Sequence, residues 1–215
     1  MRSPTDPAQR RRLSDWPPHE GIDTAAEPAF DHLTALAAHS CSTPFATLSL
    51  IEDGRLWCRS RVGVTPEHEG YATAFSESAL VHRDLFIVPD VSGDPRFHRE
   101  CVTGGPAVRF FAGARLEAVT GELLGVLCVM DHAPRTLTTA QEQALRVLSQ
   151  EVVARLELVR RTSQLAENER LLRTMFDSEP QCVKLLNRDG SVWLMNRAGL
   201  DMIEARSSGE VTAAR

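Results

Sequence analysis

The stretch Val108 to Asp131, VRFFAGARLEAVTGELLGVLCVMD, decides how the rest of the chain is arranged. It reads as two strands joined by a tight turn. Val108 to Leu116 is the first strand. Val119-Thr120-Gly121-Glu122 carries the turn chemistry, with Gly121 able to take positive φ. Leu123 to Met130 is the second strand and is apolar at every position. A strand that is apolar on both faces is covered on both faces or central in its sheet. Gly113 and Gly125 carry no side chain, so another group packs close there or the strand bulges.

The neighbours of this hairpin lie on both sides of it in sequence. Upstream, a helix is expected from about Pro28 to Ser40, with Phe30, Leu33, Leu36 and Ala37 on one stripe and Pro28 in the first turn. Phe45 to Glu52, FATLSLIE, alternates as a strand: Phe45, Thr47, Ser49 and Ile51 fall on one face, Ala46, Leu48 and Leu50 on the other. Asp53-Gly54 is a hairpin signal, and Arg55 to Val62 returns as the paired strand. Gly63 to Thr73 reads as a loop, Phe75 to Val81 as one or two helical turns, and Leu85 to Val88 as a short strand ending at Pro89-Asp90. Asp94-Pro95 has the form of a helix start, with Arg96, Phe97 and His98 following it.

Downstream, Thr138 to Gln141 fits a capping box and opens a helix with no Pro or Gly until about Ser178. Leu145, Leu148, Val152, Leu156 and Val159 form a stripe suited to covering the sheet. Leu158, Leu165 and Leu172 are seven apart, a coiled-coil spacing. The expectation is a parallel homodimer through Leu145 to Met175, with Asn168 setting register. The alternative is a solvated helix that merely continues. After Pro180, two short strands (Cys182–Leu186 and Ser191–Met195) flank an Asn187–Gly190 turn, and a helix from Asn196 to Glu204 turns Leu200 and Ile203 inward. Residues 181–205 are too few to bury a core of their own.

Composition narrows the function classes. The 215 residues suggest one or two domains, and 42% hydrophobic with 25% charged residues is ordinary for a globular protein. A net charge of −5 without a basic patch argues against nucleic acid as a partner. No apolar run approaches the ~20 residues of a membrane helix. Residues 1–26 have no periodicity and read as a flexible tail without a secretory h-region; Arg11-Arg12-Leu13-Ser14 in it reads as an ordinary solvated stretch rather than a phosphorylation site. The five cysteines have no framework spacing, which fits a reduced cytoplasmic setting, with Cys58, Cys101 and Cys128 as small core hydrophobes. Among the seven histidines no metal-binding motif occurs; His32 and His39 read as surface residues.

Three motifs in order resemble GAF domains: FIVPDVSGDPRF at Phe86 to Phe97, Val108 to Ala114, and Gly121 to Asp131 with Pro134-Arg135 and Leu137-Thr138 behind it. The resemblance is to the type found at the front of bacterial sensor histidine kinases and cyclic-di-GMP enzymes. Residues 172–205, around VKLLNRDGSVWLMNRAGLDMIEA, resemble the opening of a PAS domain. The resemblance implies an α+β fold: a profilin-like antiparallel sheet flanked by helices, then a long C-terminal signalling helix. The division expected is a tail at 1–26, a GAF domain at 27–159, a linking signalling helix at 160–178 and the first part of a PAS domain at 179–215.

The resemblance also implies a small-molecule cavity between sheet and loops, and signalling through paired end helices. Ser76 stands where this type of GAF domain usually has a cysteine, and Ser78 where a histidine often follows. Replacing the thiol removes an easily ionised nucleophile and soft metal ligand. The two serines read as a polar pocket wall or as helix caps. Asp90 reads as a ligand contact or a turn residue, and Arg96 and Arg109 as anion binders or as ion-pair partners of Asp90 and Asp94. The candidate pocket is therefore Phe75, Ser76, Ser78, Asp90, Arg96 and Arg109, with no metal, no cofactor and no catalytic residue expected. The functional expectation is a sensory or regulatory input module for bacterial signal transduction, with a ligand not yet identified and a kinase or cyclase output domain as possible partner. The alternatives are an enzyme of the GAF methionine-sulfoxide reductase type and a ligand-free dimerisation scaffold.

Overall fold

Leu123 to Asp131 (β5) is the middle strand of a five-stranded antiparallel sheet ordered β2-β1-β5-β4-β3. The computed structural model describes residues 28–52, 54–65, 69–94, 97, 108–205, 207 and 211, with the side chains of 69–74 left aside. The strands are β1 (Phe45–Glu52), β2 (Arg55–Val62), β3 (Phe86–Val88), β4 (Phe110–Glu117) and β5. The helices of this part are α1 (Pro28–Cys41), α2 (Glu69–Leu80) and α3 (Thr139–Ser178).

Two-faced apolarity put β5 at the centre because both of its faces are covered. On one face, Leu127 and Val129 pack with Ala46 and Leu48 of β1 beneath α1 and the first half of α3. On the other, Val126, Cys128 and Met130 pack with Phe111, beneath Phe75 and Ala79 of α2. Gly125 marks a change of register: Leu116 pairs with Gly125 but Glu117 with Leu123, so Leu124 and Leu127 reach the same face. Gly125 has φ +157, and a Cβ there would sit 2.1 Å from the Ser49 carbonyl oxygen. Gly113 is closed by α2, since a Cβ would lie 2.8 Å from Cβ of Ala79.

The long helix begins as its capping box requires. The Gln141 amide nitrogen donates to Thr138 Oγ1 at 3.2 Å, and the Thr138 nitrogen donates to Gln141 Oε1 at 3.0 Å. Leu145, Leu148, Val152 and Leu156 are buried on the sheet, whereas Leu158, Leu165 and Leu172 are exposed.

Several expectations change. The second helix starts at Glu69, inside the span read as a loop. Weak local propensity around Gly70 is overridden by the packing of Phe75, Ala79 and Leu80 on the sheet. Cys58 is exposed rather than buried, because β2 is an edge strand covered incompletely. Asp53, Pro95, Arg96, His98, Cys101 and the 1–26 tail lie outside the described residues.

The chain divides after Val159. In the C-terminal unit a hairpin, β6 (Lys184–Leu186) and β7 (Val192–Met195), precedes α4 (Arg197–Met202). Asn196 organises it. Fully buried, it accepts from the Val183 and Gly199 nitrogens at 2.9 and 3.0 Å and donates to the Glu179 and Gln181 carbonyls at 3.0 and 2.8 Å. Ile203 is half exposed rather than inward; Gly199 is the buried residue of α4, in the space beside Met195 and Cys182.

Candidate functional site

Of the six residues expected to form a pocket, the five described separate into two groups. Phe75 and Ser76 lie on the inner side of α2 and are fully buried. Phe75 stacks on Phe111 at 5.0 Å and meets Phe97 edge-on at 4.8 Å. Ser76 Oγ lies 3.5 Å from Cys128 Sγ on β5. Burial pushes the Cys128 thiol up to about 12, against a smaller opposing effect of the Ser76 hydroxyl. A thiol held protonated this firmly is inert as a nucleophile. Ser78 is half-buried, and its carbonyl accepts a hydrogen bond from His82 Nδ1 at 2.9 Å.

Asp90 and Arg109 form the second group. Arg109 donates to Asp90 through Nε at 2.9 Å and Nη2 at 2.6 Å, a bidentate pair. Asp90 also caps the 3₁₀ turn Val91–Gly93, accepting from the Ser92 nitrogen and hydroxyl at 3.1 and 2.8 Å. The Arg109 guanidinium, and then Ser92, hold the Asp90 carboxyl well below the usual carboxylate range. The turn reading of Asp90 and the ion-pair reading of Arg109 therefore describe one arrangement. Arg96 lies outside the described residues.

None of the five described residues among them lines the cavity on the outer half of the sheet. That cavity, about 570 Å³, is bounded by Asp31, Thr47, Ser49, Leu56 to Arg61 and Val64. Its volume falls in the range of about 300–1,000 Å³ usual for small-molecule sites. Two alternate residues of β1, Thr47 and Ser49, supply hydroxyls to it, and Trp57 of β2 stands half exposed at its edge. The signal was present in FATLSLIE: hydroxyls at two successive positions of one face, between Phe45 and Ile51.

Comparison with known proteins places this geometry. The GAF domain profile matches residues 25–156, more than half of the chain. This chain belongs to the GAF domain family. A cyclic di-GMP phosphodiesterase of Pseudomonas aeruginosa is 31% identical over 173 residues, covering 80% of this chain and 29% of that protein. The chain thus spans less than a third of that relative's length. Among solved structures, the GAF domain of a phosphoenolpyruvate-protein phosphotransferase from Coxiella burnetii superimposes with a TM-score of 0.54 at 14% identity, covering 73% of this chain and 95% of that one. The free methionine-R-sulfoxide reductase from Neisseria meningitidis gives a TM-score of 0.51 at 16% identity, covering 73% and 88%. At these identities the structural likeness is one of fold.

GAF domains are sensory and regulatory input modules of signalling proteins, and this chain carries one. Among the described residues no helix is long and apolar enough to cross a membrane. Within this GAF domain the second buried thiol, Cys41, is also pushed up, to about 11, by burial, partly offset by Arg135. Cys58, by contrast, is an exposed thiol on the cavity lining.

Proposed function

We propose that this chain is a ligand-responsive input module that passes occupancy of the sheet-side cavity along α3 to a second copy of itself. The observation that carries the reading is the division of labour on α3. One stripe, Leu145, Leu148, Val152 and Leu156, is buried on the GAF sheet. Two residues further round the turn, Val147, Ala154, Arg161, Asn168 and Met175 fall seven apart, as do Leu158, Leu165 and Leu172, and all are exposed. A helix with a covered face and an exposed heptad face suits contact with sensor and partner at once. Asn168 falls in the same seven-residue series and would set register in a parallel pair.

Replacing Leu165 and Leu172 together with Glu tests this. Sedimentation should give a dimer for the native chain at micromolar concentration and a monomer for the variant, with unchanged helical circular dichroism. A native chain that sediments as a monomer with α3 intact would contradict the reading.

In this reading the chain itself is not a catalyst. The support is chemical: Ser76 occupies the position of the expected thiol, and the neighbouring Cys128 is held protonated by burial. Turnover of free methionine sulfoxide above background, lost on changing Ser76, would favour the enzymatic alternative. The likeness to the Pseudomonas phosphodiesterase supports a cyclic-di-GMP output domain as the recipient of the signal; a kinase is the other candidate. Residues 179–215 are carried in the same proposal as the opening of a PAS domain.

A further inference from the structure

The α2-side face of the sheet is mostly apolar; Arg115 of β4, paired with Glu117, and two hydroxyls of β1 are among its exceptions. Along β1, Phe45 and Ile51 belong to the core on that face, and between them stand Thr47 and Ser49, 1% and 7% exposed. Their cross-strand neighbours on β2 are Arg61 and Cys58. All four line the cavity. Buried side-chain hydroxyls in folded chains are nearly always hydrogen-bonded. Thr47 Oγ1 has no nitrogen or oxygen partner among the described residues; the polar atom it faces is the sulfur of Cys128, in register with it on β5 and only a weak partner. Between Leu48 and Ser49 the pairing with β2 shifts, so Arg59 falls out of register. Arg59 also lines the cavity, its Nη2 held by Glu52 while its Nε is buried with no partner among the described residues. Thr47 Oγ1 and Arg59 Nε are the two such buried side-chain atoms found among the described residues, and they border one cavity.

The donors and acceptors of the lining are unequal. Guanidinium groups only donate, and each hydroxyl brings one proton. The carboxylate of the lining, Asp31, already accepts from Ser60 Oγ at 2.7 Å. We propose that the cavity takes a small oxyanion, the carboxylate or phosphate group of a metabolite, received by the Thr47 and Ser49 hydroxyls and the arginine side of β2. The assignment rests on the cavity being the input site proposed above and adds the chemistry of what enters it. An acceptor-rich group offers oxygens to Arg59 Nε and to Thr47 Oγ1, the two buried atoms without a hydrogen-bond partner among the described residues.

The exposed thiol of Cys58 is a reporter inside the lining. Alkylation of the full chain by iodoacetamide, followed by peptide mass spectrometry, reads its accessibility. The probes are malonate, inorganic phosphate and the uncharged malonamide, each at millimolar concentration and matched ionic strength. Malonate or phosphate should slow Cys58 alkylation at least fivefold and raise the Tm. Whichever of the two acts identifies carboxylate or phosphate as the group recognised, and malonamide should do neither. Thr47→Val should abolish the protection yet raise the Tm of the unliganded chain, because it removes a buried hydroxyl whose polar neighbour is only the weak sulfur of Cys128. Ser49→Ala should weaken the protection. Protection that survives Thr47→Val, or a Tm lowered by it, would overturn the proposal, as would no protection by either anion. Protection by malonamide alone would overturn the oxyanion assignment while leaving the cavity as an input site.

Discussion

Asp90 shows how one side chain can close a turn and also serve as the ion-pair partner of an arginine far along the chain. Its carboxylate closes a turn through Ser92 and pairs with Arg109, which comes from the residue before β4. The Pro-Asp pair made the turn legible; the arginine, nineteen positions away, is chosen by the sheet and could only be offered as one option. A carboxyl whose folded pKa is depressed contributes stability above its unfolded value, near 3.8, and loses it as pH falls through the lower folded value. Asp90→Asn should therefore lower the Tm modestly at pH 7, because the pair is partly exposed. The gap between native chain and variant should narrow below about pH 4, where a carboxyl in the unfolded chain protonates. Thermal unfolding at pH 7, 4 and 2 measures it, and equal Tm values at pH 7 would contradict the role. Asn196 is the opposite case. Its four hydrogen bonds hold the C-terminal unit together, yet a lone Asn before a helix signals only a cap.

At the scale of elements, β5 was readable because burial on both faces leaves an unmistakable apolar run. The β4–β5 hairpin carries its strand glycines for steric reasons that differ in severity. Gly113→Ala on β4 sets a methyl against Ala79 Cβ and the Phe111 ring, side-chain atoms able to shift. Gly125→Ala sets a methyl against the Ser49 carbonyl oxygen, 2.1 Å away, at a φ of +157. The first should cost about 1–3 kcal/mol, in the range of core overpacking, and the second distinctly more, because backbone cannot step aside. Urea unfolding with unchanged m-values would measure both; an equal or reversed order would show that the sheet relaxes around β1. The start of α2 was not legible for a related reason. Its helix exists because Phe75, Ala79 and Leu80 meet the sheet, and nothing in the preceding Glu-Gly-Tyr signals a first turn. The exposed cysteine of β2 follows the same logic, since edge position is a property of the sheet and not of the strand.

Across the whole molecule, the antiparallel sheet, the covering stripe of α3 and the GAF family were all legible in the sequence, because they rest on periodicity and local motifs. The cavity was not. Of the residues expected to form a pocket, Phe75 packs in the core and Asp90 and Arg109 form an ion pair, whereas this cavity is lined mainly from β1 and β2, whose polar pairs meet only through strand register. The central claim joins that cavity to a helix with an exposed heptad face. Native mass spectrometry of the protein as purified from cells tests both halves in one spectrum. The account predicts a dimer that releases a small anionic molecule from each chain on collisional activation. Bare monomeric chains would contradict it.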